Sequence, residues 1–157
     1  DLLLIGQASD ATRHSIETAA QQWGMGDRIE IVYKYLPQAE LLGFYSSADA
    51  LLAPLPDDDA SRARFPSKLA DYLYSGRPVV TNSVGEASRY LTDGVSGFLA
   101  LPDEPALFGQ KMREAVTHPD RFAIAGSGKL LAEAEFGIGV QGQRLAAFLH
   151  SLTPRRS

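Results

Sequence analysis

The chain has 157 residues, is 45% hydrophobic and carries a formal net charge of −4 at pH 7, which predicts one compact domain with a single core. The acidic balance excludes a general nucleic-acid binder, which usually presents a basic face, and the lack of cysteine excludes disulfides and thiolate metal sites. No apolar run approaches the roughly 20 residues that a membrane-spanning helix needs, so we expect a cytoplasmic location.

The beginning of the chain predicts alternating strands and helices. Leu2 to Gly6 is an apolar strand, and the residues from Asp10 to Gly24 have helical periodicity. Ile29 to Tyr33 is a second predicted strand, and Pro37 opens a second helix. Each change of pattern occurs at a Gly, Pro, Asp or Asn, the residue types that begin and end elements.

The middle of the chain contains an apolar strand and then a helix whose start suits an anion. Ala50 to Leu55 predicts a strand buried on both faces. Pro66 begins the helix, and Ser67 and Lys68 follow where unpaired backbone N–H groups and the helix dipole attract phosphate. Asp71 lies one turn further on, where a carboxylate can accept hydrogen bonds from ribose hydroxyls. The segment indicates a site for a nucleoside diphosphate.

The remainder continues the same alternation after Gly76, which ends that helix. Strands are predicted at Pro78 to Thr81 and at Gly97 to Ala100, with a short helix after Gly85 between them. Three further helices finish the chain. The last of them has a stripe typical of a core-facing helix, formed by Leu145, Phe148, Leu149 and Leu152.

Apolar strands separated by helices predict an α/β fold with a doubly wound, Rossmann-like parallel sheet and flanking helices. Ligands bind such sheets outside the carboxyl ends of the strands. We therefore expect a site in the loops after the strands. The domain is predicted over residues 1–152, followed by a flexible polar tail at 153–157.

Four segments, LLLIG, DRIEIVYKYLPQAELLGFYSSADALLAPL, FPSKLADYLYSGRPVV and VGEASRYLTDGVSGFL, resemble the C-terminal, donor-binding domain of the family four, group 1 retaining glycosyltransferases of the B-type fold. The resemblance implies an enzyme of glycan biosynthesis that transfers a sugar from a nucleoside diphosphate sugar to an acceptor with retention. It implies no metal and no cofactor besides the nucleotide sugar. The acceptor would be held by an N-terminal domain of the same protein, through which any membrane contact would be made. The donor-binding domain alone would therefore bind the nucleotide sugar without transferring its sugar.

The resemblance also assigns the site residues. Asp71 stands where the family has the glutamate that binds the donor ribose. The turn at Tyr35 and Leu36 stands where the family contacts the nucleobase, and Tyr35 can stack there. The first turn of the helix that begins at Pro66 would supply backbone N–H groups to the donor diphosphate. The residues assigned to the diphosphate are Pro66, Ser67, Lys68 and Leu69.

The chain departs from the family at its acidic positions. The family usually has an acid eight positions before the ribose-binding residue, but Ala63 stands there, and Arg89 replaces an acid that many relatives have. An acidic turn slightly upstream offers weak catalytic candidates, although such turns are usually solvated. These candidates are Asp57, Asp58 and Asp59.

The first strand of the family domain has no match in this chain. That strand ends in a Gly-Arg pair followed by a Lys-Gly turn, whose basic side chains contact the donor phosphates, whereas this chain begins at the equivalent of the second strand. We therefore expect a piece of a longer protein. Two alternatives stay open, namely a catalytically degenerate nucleotide-sugar-binding domain and a nucleotide-sugar epimerase of the same fold.

Three other patterns carry less weight. Gly137 to Gly142 has the letters of a dinucleotide-binding motif in a helical context. Gly126 to Lys129 resembles the end of a P-loop, but Leu130 follows where Ser or Thr is required, so we expect a helix irregularity. The three histidines lack metal-ligand spacing and are expected on helix surfaces or ends. They are His14, His118 and His150.

Overall fold

The computed structural model describes residues 1–152, so the predicted tail at 153–157 lies outside the described residues. The strands are β1 (Leu2–Ile5), β2 (Ile29–Val32), β3 (Leu51–Ala53), β4 (Val79–Asn82) and β5 (Phe98–Ala100). The helices are α1 (Asp10–Gln22), α2 (Gln38–Ser47), α3 (Asp59–Ala63), α4 (Ser67–Tyr74), α5 (Gly85–Tyr90), α6 (Pro105–Thr117), α7 (Arg121–Phe136) and α8 (Ile138–Leu152). Every predicted strand and helix is present, and α3 is additional.

All the strand pairs are parallel, and helices flank them, which confirms the α/β class. The chain divides into two compact units, Asp1–Leu42 and a second that begins at Gly43. Length and composition alone predict a single domain. The first unit contains the pair β1-β2 and the second contains the order β3-β4-β5. Within residues 1–152 no strand pairing joins the two sheets, whereas the sequence predicts a single sheet. An apolar pattern identifies strands, but it does not specify their partners.

The first unit consists of two strands and one long helix. β1 and β2 pair from Leu2 with Ile29 to Ile5 with Val32. The Oγ of Ser9 caps α1 by accepting a hydrogen bond from the Thr12 N–H at 3.2 Å. No residue of β1 or β2 is fully buried.

The second unit has a three-layered core around β4, whose four residues are all buried. One face of its sheet is covered by α4, α5 and α7, and the other by α6 and part of α7. The first cluster comprises Leu55, Leu69, Leu73, Val79, Val84, Ala87, Leu91 and Ala132. The second comprises Val80, Phe98, Ala115 and Ile124. Helices on both faces are what a parallel sheet requires.

Helix α7 is continuous through Gly126 to Lys129, so the predicted irregularity there is wrong. A Cβ at Gly128 would lie 2.5 Å from the Ser96 carbonyl oxygen and 2.9 Å from Cδ2 of Leu73. The glycine therefore permits a close approach of α7 to the backbone at Ser96 and to the Leu73 side chain of α4. The Gly137 to Gly142 segment spans the α7–α8 junction and contains no strand, as predicted.

The apolar stripe of α8 is exposed, which makes the core-facing prediction wrong. Leu145, Phe148, Leu149 and Leu152 are 54% to 62% exposed, and α8 has no buried residue. Helical periodicity identifies residues that share a face, but it does not show what covers that face. No helix within residues 1–152 is both long and apolar enough to cross a membrane.

Candidate functional site

The first turn of α4 presents two backbone donors. Pro66 precedes the helix with extended backbone, so the helix begins at Ser67, one residue later than predicted. The Leu69 N–H donates to the Pro66 carbonyl at 2.8 Å. No hydrogen bond in the described part of the chain uses the N–H of Ser67 or Lys68, and both residues are exposed. Two donors and the positive end of the helix dipole are thus available to an anion.

The side chains around this turn add positive charge and an anchor. Lys68 and Arg64 are exposed, and neither forms an ion pair among residues 1–152. Arg62 differs, because its guanidinium binds both carboxylate oxygens of Asp57 at 2.7 and 2.8 Å. Leu69 is fully buried and anchors the turn in the core. Arg64 and Lys68 therefore provide the unpaired positive charge.

Asp71 lies one turn further along α4, beside two tyrosines. It is exposed and has no ion-pair partner in the described region. The rings of Tyr45 and Tyr72 meet edge to face at 4.9 Å. Burial, and then the nearby Tyr72 and Asp71, raise the pKa of Tyr45 to about 12. Burial and Asp71 also raise the pKa of Tyr72. Both phenols stay neutral at pH 7, and the Asp71 carboxylate can accept hydrogen bonds from ligand hydroxyls.

The acidic turn before α4 contains the short helix α3. Asp58 caps this helix by accepting a hydrogen bond from the Ser61 N–H at 2.7 Å, and that bond lowers the pKa of Asp58. The hydrogen bonds from Arg62 lower the pKa of Asp57. Asp59 is the exposed first residue of α3. Two of the three acids therefore stabilise the local structure. Ala63 is the exposed last residue of the helix.

Backbone contact holds α3 against the start of α5. Gly85 has φ +51°, and a Cβ there would lie 2.8 Å from the Ser61 carbonyl oxygen and 3.0 Å from Cα of Arg62. Any other residue would combine backbone strain with a clash. The loop before α4 is therefore held close to the end of β4.

A buried amide joins three chain segments at the carboxyl end of β4. The Asn82 Oδ1 accepts a hydrogen bond from the Leu55 N–H at 3.0 Å, and its Nδ2 donates to the Leu101 carbonyl at 3.1 Å. Beside it the Thr81 hydroxyl donates to the Ala53 carbonyl at 2.8 Å. Sequence reasoning missed this role. The available signal was two polar residues at the end of an otherwise apolar strand.

The other charged residues near the end of the sheet stabilise the surface. The Lys111 ammonium donates to Asp93 at 2.6 Å and to Glu114 at 2.8 Å. Burial lowers the pKa of Lys111, but these hydrogen bonds outweigh burial and raise it overall. Arg89 forms an ion pair with Glu86 at 3.5 Å.

The remaining predicted site residues lie in the first unit. Tyr35 is 79% exposed, whereas Leu36 is 6% exposed. The Tyr35 ring is open to a planar ligand, while Leu36 offers a ligand only its backbone. No group of three or more His, Asp or Glu among residues 1–152 could hold a metal ion.

A family model described as "Glycosyl transferases group 1" matches residues 1–118. A D-inositol 3-phosphate glycosyltransferase of Thermobispora bispora is 30% identical over 110 residues, which are 70% of this chain and 24% of that protein.

Solved structures share the fold. A sucrose-phosphate synthase of Thermosynechococcus elongatus matches 97% of this chain and 39% of its own, with a TM-score of 0.78 and 22% identity. Anabaena HepE in complex with UDP and glucose matches 96% of this chain and 40% of its own, with a TM-score of 0.75 and 21% identity. The chain thus spans about a quarter of the curated relative and two fifths of the solved proteins.

Proposed function

Because this chain belongs to the group 1 glycosyl transferases, we propose that it is the donor-binding domain of an enzyme that transfers a sugar from a nucleoside diphosphate sugar to an acceptor with retention. The start of α4 is the observation that carries the proposal. Its two available N–H groups, at Ser67 and Lys68, lie one helical turn from the exposed Asp71 carboxylate. That spacing suits a diphosphate joined to a ribose.

Each residue of this turn has a separate role in the proposal. The N–H groups of Ser67 and Lys68 and the Lys68 ammonium bind the diphosphate, while Pro66 and Leu69 fix their position. Asp71 accepts hydrogen bonds from the ribose. When the bond from sugar to phosphate breaks, negative charge grows on the leaving diphosphate, and prearranged donors stabilise that charge. We propose that these groups act without a metal ion.

The nucleobase contact is a separate proposal for the first unit. Family resemblance assigns it to Tyr35 and Leu36. The exposed ring of Tyr35 can stack on a base, and Leu36 would contribute backbone atoms. Uracil is the first base to test, because HepE is described in complex with UDP.

An acceptor-binding domain of the same protein is the proposed partner. Two observations support it. The chain spans 24% of its curated relative, and the apolar stripe of α8 is exposed. We propose that the isolated chain binds the donor without turning it over. A cytoplasmic role in glycan biosynthesis, with any membrane contact made through the other domain, completes the proposal.

A catalytically degenerate domain is the second candidate function. Ala63 favours it, because this exposed residue stands where the family usually has an acid. The nearest acids, Asp57 and Asp58, are engaged by Arg62 and Ser61. Sugar transfer by the full-length protein in the presence of a metal chelator would exclude this candidate and support the metal-free reaction.

Calorimetric titration with UDP, GDP and ADP tests the donor site. We expect one nucleotide to bind, and Asp71→Ala to weaken it by about ten- to hundredfold, since hydrogen bonds to a charged group are lost. Glu133→Ala is the matched control, because it removes another exposed helical carboxylate of the same unit, outside the proposed site. If none of the three nucleotides binds the full-length protein, the donor-site proposal is wrong.

A further inference from the structure

Three aromatic rings from three different elements meet just before α4. The ring centroids of Phe65 and Phe136 are 4.8 Å apart, and those of Tyr90 and Phe136 are 4.9 Å apart. Phe65 and Tyr90 complete the triangle at 6.1 Å. Phe65 lies in the loop before α4, Tyr90 ends α5 and Phe136 ends α7. We refer to these three residues as the ring cluster.

The ring cluster completes a brace along α4. At the far end of α4, Leu73 lies against Gly128 of α7, where a Cβ would approach its Cδ2 to 2.9 Å. At the near end, Phe65 contacts Phe136. The two helices therefore run in opposite directions, and α7 contacts both ends of α4. Leu69 is buried between these two contacts and holds the first turn in the core, and the contact of Phe65 with Phe136 adds a second hold just before that turn.

The ring cluster lies at the margin of the core, since Phe65 is 38% exposed and Tyr90 and Phe136 are partly buried. Its geometry is specific, because the two contacts of Tyr90 are edge-on, at interplanar angles of 85° and 79°. Edge-to-face pairs favour particular ring orientations in addition to the apolar area that the rings bury. The cluster is therefore suited to orienting the chain at Phe65, next to Pro66.

We propose that Phe136 and Tyr90 are positioning residues for the diphosphate site. They touch no ligand and act by holding Phe65, so that the N–H groups of Ser67 and Lys68 keep one direction. This rests on the proposed function. Loss of the rings loosens the first turn of α4 and weakens diphosphate binding, while contacts to the nucleoside are retained.

The test compares Phe136→Ala with Phe122→Ala in two measurements on the full chain. Phe122 is the same residue type in the same helix, is 54% exposed and lies at the opposite end, beside Arg121. The first measurement is amide hydrogen exchange of residues 69–72 without ligand, beginning at the hydrogen-bonded N–H of Leu69. The second is the affinity for UDP and for uridine by calorimetry.

We expect Phe136→Ala to accelerate exchange at residues 69–72 and to weaken UDP binding by about three- to tenfold, with uridine binding unchanged. Phe122→Ala should do neither, and Phe136→Tyr, which keeps the ring, should restore wild-type behaviour. Tyr90→Leu provides a second removal of a ring should Phe136→Ala fail to fold.

Unchanged exchange at residues 69–72 in both ring-removing variants would overturn the proposal. Equal weakening of UDP and uridine, with exchange accelerated across the whole unit, would also overturn it, because that pattern describes general destabilisation. If the wild-type chain binds no nucleotide, the proposed function fails at that step. The exchange comparison then still decides whether the ring cluster holds the start of α4.

Discussion

The sheets of the two units differ in burial in a way that their sequences do not suggest. β1 reads LLLI and has no fully buried residue, whereas β4 reads VVTN and is buried throughout. β4 is paired on both sides and covered by helices on both faces, while β1 and β2 have only each other as strand partners among residues 1–152. Position in the sheet decides burial here more than apolar content does.

This difference in burial also determines which polar side chains need hydrogen-bond partners within the protein. Buried hydroxyl and amide groups destabilise a fold unless they are hydrogen-bonded. In β4 the Thr81 hydroxyl and both ends of the Asn82 amide have partners in neighbouring segments. The buried sheet therefore gains cross-links at its carboxyl end, close to the proposed donor site.

The most direct challenge to the comparison is to remove the same side chain from each unit. Leu73 is 1% exposed in the second unit, and Leu4 is half-buried in the first. We expect Leu73→Ala to lower the free energy of unfolding by about 3 kcal/mol, and Leu4→Ala by about 1 kcal/mol, measured in urea. Equal losses would mean that the two units are packed to the same depth.

Nucleotide binding tests one proposed ligand contact from each unit. We expect Lys68→Ala to weaken UDP binding by about tenfold without affecting uridine, because only the diphosphate loses a charged partner. Tyr35→Ala should weaken both ligands by about fivefold, because a stacked base is present in each. Calorimetry with both ligands measures the two effects. A loss of uridine affinity in Lys68→Ala would contradict the assignment to the diphosphate.

The helix caps of the two units should differ in how their contribution to stability depends on pH, and this is the smallest effect that we expect. A hydrogen bond lowers the pKa of Asp58, so its charge stabilises the folded chain above the ordinary value of 3.8, and this contribution is lost as pH falls through the lowered pKa. Asp58→Asn keeps an acceptor but cannot titrate. We expect the stability of the wild type to exceed that of Asp58→Asn at pH 7 and to converge with it as the pH falls below the lowered pKa of Asp58.

Urea midpoints across this pH range provide the measurement. The control is Ser9→Ala in the first unit, because the hydroxyl cap of α1 carries no charge. Its cost of about 1 kcal/mol should be the same at every pH. A constant difference between the wild type and Asp58→Asn would show that the charge of the α3 cap contributes nothing.

Local patterns were sufficient to predict the strands, every helix except α3, and the family. Strand runs, the helix start at Pro66 and the stop at Gly76 depend on neighbouring residues, and each is present within a few residues of its predicted place. The helix α3 was missed because DDDASRA has the composition of a solvated turn. The assignments of Asp71, Lys68 and Tyr35 to a ligand stay predictions.

Features that join distant segments could not be read from the sequence. The Asn82 hydrogen bonds reach Leu55 and Leu101, which lie 27 and 19 residues away. The ring cluster joins residues across 71 positions, from Phe65 to Phe136, and the pairing of strands into two sheets has no local signal. For α8 the periodicity correctly predicted a helix with an apolar stripe, but the predicted burial of that stripe was wrong.

Gly85 has a consequence for how this chain can vary over evolution. Its absent side chain leaves room for the backbone of α3, at the Ser61 carbonyl and Cα of Arg62. The contact therefore depends on main-chain atoms that every residue possesses. Most side chains of α3 are exposed to solvent. Its sequence can therefore change at most positions while the backbone contact with Gly85 is preserved. A substitution at Gly85 would displace the backbone of α3, although no residue of α3 itself is replaced.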